Sequence, residues 1–281
     1  MSRSIRVVLC FAAFSSPTVA GAGAITFSVG GNNSPASIQA TVDSFRAALG
    51  SPNNGSAPGP IAGGRREINW DGGGSTTVTT SSVTPFNGFQ NTRGAQITTP
   101  GSGLAQATPD GLGVLFSNPT YSTIFSTFSP QRLFVPVASN VTDVLFFMPG
   151  SNGTEAATVR GFGAVFTDVD LAGLTRISYF DPESDLLFSS SVASGSVANG
   201  SLSFLGVLFD GGERIARVRI ITGNAALGPN DGGLVDVVAM DDFLFSEPVG
   251  LSTAVPEPSA LSLLGLCALA LFGLWRVRER T

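Results

Sequence analysis

Apolar and polar residues follow a strand-like pattern along most of the chain from residue 76 to 247. About ten short runs are apolar at every second position or throughout, which is typical of strands buried on one or both faces. These runs cover residues 96–99, 114–117, 133–137, 144–147, 161–171, 177–180, 186–192, 202–209, 215–222 and 235–245. Turn-forming residues separate them at 138–140, 149–153, 181–184, 210–212 and 228–232. Strands at hairpin spacing without alternating helices predict an all-β fold, an antiparallel jelly-roll-like β-sandwich over residues 25–247.

One segment departs from this pattern and predicts an amphipathic helix near residues 36–49. Its apolar residues recur at helical spacing and form a single stripe: Ile38, Val42, Phe45 and Leu49. Pro35 suits the first turn, and Gly50 follows as a stop signal. We expect the stripe to pack against the sandwich, with Asp43 and Arg46 in solvent.

The N-terminus has the three-part pattern of a secretory signal peptide, which we assign to residues 1–24. Two arginines precede an apolar run at 7–14, and small residues follow at 20–24. Three cleavage sites fit the small-x-small rule, after Ala20, Ala22 or Ala24.

The C-terminal segment 255–281 combines a short motif, an apolar run and a basic end. The motif is Val255, Pro256, Glu257 and Pro258, and the basic end carries Arg276, Arg278 and Arg280. The uncharged run at 260–275 would span roughly 24 Å as a helix, close to the ~30 Å core of a bilayer. It therefore predicts a transmembrane helix with a cytoplasmic C-terminus, joined to the sandwich by a linker at 248–254.

This order of motif, helix and basic tail resembles the PEP-CTERM sorting signal of Gram-negative bacteria. The resemblance implies recognition by an exosortase-type sorting enzyme, cleavage near residues 256–258 and export to a surface rich in exopolysaccharide. The alternative is an ordinary single-pass membrane anchor. The body of the chain also resembles a group of uncharacterised bacterial exported proteins, which implies no activity. That likeness rests on residues 64–71, 93–95, 118–121, 161–170, 203–207 and 240–243.

Composition narrows the chemistry that the exported part can perform. Residues 25–254 contain ten arginines against eighteen acids, so a nucleic-acid partner is not expected. The chain has no histidine, and its two cysteines, Cys10 and Cys267, lie in the two targeting segments. An intradomain disulfide, Cys or His metal sites and histidine-dependent catalytic triads are therefore excluded from the exported part.

A polar cluster around Trp70 supplies the candidate glycan-binding residues Glu67, Trp70 and Asp71. The indole would stack against a sugar, and the two carboxylates would bind its hydroxyl groups. The alternative is a strand whose Trp lies in the core and whose charges pair with Arg65 and Arg66. The alternation of polar and apolar residues alone explains the pattern, which favours this alternative.

Four aspartates within apolar runs are candidate calcium ligands: Asp168, Asp170, Asp241 and Asp242. Asp241 and Asp242 are adjacent, so one of them must point toward apolar neighbours unless a bulge intervenes. A buried carboxylate requires a partner, and Ca²⁺ suits converging aspartate oxygens when His and Cys are absent. The alternative partners are arginines, for which Arg217 and Arg219 are candidates. The acidic final strand also resembles the closing strand of jelly-roll carbohydrate-binding modules, some of which hold a structural calcium there.

These patterns predict an exported, non-catalytic cell-surface or matrix protein, membrane-anchored before its release, with exopolysaccharide as the candidate ligand. A structural or adhesive protein without a small ligand is the first alternative. A glycoside-active enzyme using Glu67 and Asp71 as paired carboxylates is the second. Calcium is the candidate cofactor.

Overall fold

The computed structural model describes residues 23–72, 80–212, 214–229 and 233–251. The strands within these ranges are β1 (Ala24–Gly30), β2 (Arg65–Ile68), β3 (Thr80–Ser82), β4 (Ala95–Thr98), β5 (Gly103–Ala107), β6 (Leu133–Val137), β7 (Val141–Phe146), β8 (Ala157–Thr158), β9 (Gly161–Thr167), β10 (Arg176–Phe180), β11 (Leu186–Ser191), β12 (Leu202–Phe209), β13 (Arg217–Ile221), β14 (Ala239–Ser246) and β15 (Val249–Gly250). The helices are α1 (Ala36–Leu49), α2 (Gln90–Arg93), α3 (Pro109–Leu115) and α4 (Tyr121–Ile124).

The predicted leader up to residue 22 and the sorting signal at 255–281, with its transmembrane helix, lie outside the described residues. None of the helices in the described ranges has the length and apolar character needed to cross a membrane.

Two antiparallel sheets face each other, which confirms the all-β sandwich. The larger sheet has the order β1-β12-β9-β14-β6-β5-β3, with β2 also paired to β14. The smaller sheet has the order β11-β10-β13-β7-β4, and β15 pairs separately with β8. Side chains from both sheets fill one core cluster, including Phe162 and Phe243 from the larger sheet and Ile177 and Val218 from the smaller.

The larger sheet is covered on its outer face as well. Helix α1 packs with β9, β12 and β14 in a second cluster, and α3 and α4 pack with β5 and β6 in a third. Every residue of β9, β12 and β14 is therefore buried. This double cover explains why these strands carry apolar residues on both faces and do not alternate regularly.

The predicted stripe of α1 is buried as expected, and the Phe45 side chain is 0% exposed. Its ring lies against Gly163 and Gly206, which oppose each other in β9 and β12. A Cβ atom on Gly163 or Gly206 would lie 2.8 or 2.9 Å from carbons of the Phe45 ring. The two glycines thus form a recess in the sheet that only a residue without a side chain can provide.

Two sequence-based assignments are wrong: the strand at 114–117 and the start of the linker at 248. Residues 114–117, predicted as a strand, lie at the end of α3 and just beyond it. The side chain of Thr108 caps that helix by accepting from the Gly111 N–H at 3.1 Å, with Pro109 at the first helical position. The predicted linker at 248–254 also begins too early, because Val249–Gly250 forms β15.

Candidate functional site

Five of the predicted site residues come together where β2 and the loop after it meet β14. The carboxyl groups of Asp71, Asp241 and Asp242 surround the Ser129 hydroxyl, and Arg46 links Glu67 to Asp242. We call these four carboxyl groups the acidic centre. Pairing between β2 and β14 aligns Glu67 with Leu244 and so brings the two acidic segments side by side.

A β-bulge places both adjacent aspartates inside the protein. The register of β14 against β9 shifts between Met240 and Phe243, so the two residues between them do not alternate regularly across the sheet. Asp241 is 0% exposed and Asp242 is 3% exposed. The prediction that one carboxyl points inward is confirmed, and the bulge buries the second.

The Ser129 hydroxyl lies at the middle of the acidic centre. Its Oγ is 2.7 Å from Asp242 Oδ1, 3.2 Å from Asp241 Oδ1 and 3.4 Å from Asp71 Oδ2. The backbone N–H of Phe128 donates to Asp241 Oδ2 at 2.6 Å. The loop that precedes β6 therefore supplies the nearest neutral donors to the buried acids.

Arginines supply the positive charge. Arg46 Nη2 lies 2.9 Å from Glu67 Oε2 and 3.6 Å from Asp242 Oδ2, and Arg65 Nε donates to Glu67 Oε1 at 2.7 Å. The expectation that Arg46 faces solvent is wrong, since the last turn of α1 directs it toward β2. Arg217 and Arg219 instead pair with Asp143 on the smaller sheet.

Burial raises the pKa of both acids. The pKa of Asp241 lies well above its ordinary value because of burial and then the adjacent charge of Asp242. Burial also raises the pKa of Asp242, against the lowering effects of hydrogen bonds from Ser129 and Asp241 and of the Arg46 charge. Burial thus disfavours the charged form of each carboxyl group, and of Asp241 most strongly.

The interpretation of Trp70 as a sugar-stacking platform is wrong. Its side chain is 0% exposed and stacks on Phe134, with ring centroids 3.8 Å apart at an angle of 11°. Its Nε1 donates to the backbone oxygen of Asp241 at 2.9 Å. A left-handed backbone φ of 64° at Trp70 turns the chain after β2 and places the indole between the sheets.

The other two candidate glycan ligands have internal donors. Asp71 Oδ1 accepts from the backbone N–H groups of Gln131 and Arg132 at 2.6 and 2.9 Å. Glu67 accepts from Arg46 and Arg65, so the arginine pairing expected in the alternative interpretation is confirmed for Arg65. The acidic centre therefore acts as a junction that binds α1, β2, β14 and the loop before β6 together.

Arg66, the other expected partner, belongs to a different buried contact. Its guanidinium pairs with Glu247 at 2.6 Å and also donates to the backbone oxygens of Gly55, Ala57 and Thr92. All its N–H groups have acceptors, as a buried guanidinium requires.

Asp168 and Asp170 are not part of the acidic centre. They follow the end of β9 and, with Asp236, line a cavity of about 230 Å³. Across the described ranges, no set of three or more Asp, Glu, His or Cys side chains is grouped closely enough to hold a metal ion. Calcium binding by these aspartates therefore stays a prediction.

Three residues that matter here escaped the sequence analysis: Arg46, Ser129 and Asp236. Arg46 lies off the apolar stripe, Ser129 lies in a polar loop, and Asp236 precedes its strand. Each acquires its role from a partner far away in the chain, which no local pattern records. No family model, curated protein or solved structure matches this chain.

Proposed function

We propose that this chain is an exported cell-surface or extracellular-matrix protein whose sandwich is a structural or adhesive module without a catalytic role. One observation supports the absence of a catalytic role: the residues best suited to sugar binding or acid catalysis make contacts within the protein. Asp241, the acid with the strongly raised pKa, is 0% exposed and so has no access to a substrate.

The export route rests on the sequence. The motif at 255–258, the apolar run at 260–275 and the terminal arginines support sorting by an exosortase-type enzyme at a membrane. We further propose a jelly-roll-like strand arrangement, which is compatible with two antiparallel sheets whose neighbours are mostly non-consecutive.

Cell fractionation tests the proposal in a Gram-negative host that carries such a sorting enzyme. The full chain should reach the surface with its tail removed, as intact-mass measurement would show. A Pro256→Ala, Pro258→Ala double variant should keep its tail and remain in the membrane. Recovery of the complete 281-residue chain from the cytosol would refute export.

Binding to exopolysaccharide is the competing function, and it is testable separately. We expect the surface-extracted protein to show no saturable retention on immobilised exopolysaccharide from the same host. Saturable retention that is lost in Glu67→Gln would restore the glycan-binding interpretation of this region.

A further inference from the structure

A second acidic region lies at the end of β9. Its cavity of about 230 Å³ is lined by Thr120, Asp168, Asp170, Asn199 and Asp236, among others. The polar lining is oxygen-rich and includes no arginine, in contrast to the acidic centre. The lining itself therefore supplies no positive charge to Asp170 and Asp236.

Asp236 is the residue that points to a ligand. It is 3% exposed, and its Oδ1 accepts from the backbone N–H of Asp170 at 3.3 Å. Its Oδ2 is buried and has no hydrogen-bond partner. Burial raises the pKa of Asp236, against the lowering effects of backbone hydrogen bonds from Asp170 and Leu171, and the nearby Asp170 charge raises it further. A buried carboxylate oxygen without a donor or a cation is strongly unfavourable.

The other two acids line the same cavity. Asp168 is buried, adopts a left-handed φ of 68°, and accepts from the Gly200 N–H at 3.2 Å. Asp170 is exposed, and partial burial of its carboxyl group still raises its pKa. The cavity lining thus combines the buried Asp168 and Asp236 with the more accessible Asp170.

We propose that this cavity binds Ca²⁺, with Asp236 Oδ2 and the carboxylate of Asp170 as its charged ligands. Neutral oxygens of the wall, such as that of the Asn199 side chain, and water would complete the shell, since Ca²⁺ takes six to eight oxygen ligands of mixed type. A hard cation suits this set because the cavity offers only oxygen donors. Two carboxylates suffice, so no cluster of three acids is needed.

This site differs from the calcium site expected from the sequence. Phe128 and Ser129 donate hydrogen bonds to Asp241, and Ser129 and Arg46 contact Asp242, whereas Asp236 Oδ2 has no hydrogen-bond partner. A bound ion would join the loop after β9, the loop before β12 and the segment before β14. The ion is independent of the export route and would bind to the purified chain.

The test is titration of the full-length chain, purified in detergent and freed of metal, with CaCl₂ alone. Calorimetry should show one binding event, and calcium at 100 times Kd should raise the melting temperature by roughly 5–10 °C over EDTA. Asp236→Asn should abolish the calcium response while melting no lower than wild type in EDTA, because it removes an unpaired buried charge. Asp170→Asn, at an exposed position that tolerates change, should weaken calcium binding about tenfold or more.

Asp241→Asn is the matched control, a buried aspartate outside the cavity. It should keep the calcium response of the wild type. The proposal is overturned if wild type shows neither a heat of binding nor a melting shift, in which case water alone fills the cavity. A response retained in both Asp236→Asn and Asp170→Asn would overturn it equally.

Discussion

The carboxyl group of Asp241 shows how hydrogen bonds allow an acid to be buried in a folded protein. Its Oδ2 accepts from the Phe128 N–H and its Oδ1 from the Ser129 hydroxyl, so each carboxyl oxygen has a hydrogen-bond partner. The sequence predicted a buried acid from the period of the strand. It could not predict the bulge or the identity of the donors, because these come from a loop more than a hundred residues earlier in the chain.

The raised pKa of Asp241 predicts a pH-dependent stability. Folding raises this pKa above the unfolded value of about 3.9, so the stabilising proton is fully present below that pH and is lost as pH rises through the folded pKa. The charged groups facing it are Asp242, Asp71 and Arg46. Asparagine cannot ionise, so Asp241→Asn should gain stability relative to wild type as pH rises from about 4 toward the folded-state pKa.

Urea midpoints of both proteins at several pH values give the measurement. Asp43→Asn is the control, and its stability relative to wild type should change with pH in the opposite direction. A hydrogen bond from Gln39, with help from Arg46, lowers the pKa of the exposed Asp43, so its stabilisation is present above the unfolded pKa and lost as pH falls. A pH-independent difference between Asp241→Asn and wild type would show that Asp241 is ionised throughout.

At the scale of elements, the local patterns predicted most of the longer strands but only α1 among the four described helices. The stripe of α1 is confirmed in full, because an amphipathic period is encoded in the helix itself. The strand predicted at 114–117 is wrong, since the Thr108 cap and Pro109 override a short apolar run. The pairing of β2 with β14 was not predictable, because partner choice depends on the whole sheet.

Docking of α1 should depend on Phe45. Phe45→Ala should lower the free energy of unfolding by about 3–5 kcal/mol, because the ring is 0% exposed and its recess cannot collapse around a methyl group. Ser44→Ala, on the exposed side of the same helix, should change it by about 0.5 kcal/mol or less. Chemical denaturation measures both, and equal midpoints would mean that α1 is a peripheral appendage.

The buried pair of Arg66 and Glu247 anchors the loop before β2. Arg66→Ala should cost about 3–5 kcal/mol, because it leaves a carboxylate buried without its partner and three backbone oxygens without their donor. Arg219→Ala, which removes a partner of Asp143 that is 45% exposed, should cost about 1 kcal/mol or less. Similar costs for the two variants would contradict this ranking.

At the scale of the molecule, the first residues that the structure describes already pair with β12 or with the residue after it. Ala24 pairs with Phe209, and the backbone oxygen of Gly23 accepts from the Asp210 N–H. Cleavage after Ala24 would remove both residues from the edge of the sheet.

We therefore predict that the mature N-terminus follows Ala20 or Ala22, the two cleavage sites that leave β1 complete. N-terminal sequencing of the exported protein checks this. A mature chain beginning at Ile25 would show that this edge pairing is dispensable.

The strand order of the larger sheet also fixes when the protein can fold. Its middle strand, β14, is the last long strand of the described chain, and β1 and β2 pair with β12 and β14. A chain delivered from its N-terminus cannot close this sheet until almost all of it has arrived, and such non-local pairing makes folding slow. If the protein is exported as proposed, a delay of this kind would keep the polypeptide unfolded during its passage through the membrane, and the arrival of the C-terminal half would trigger folding on the far side.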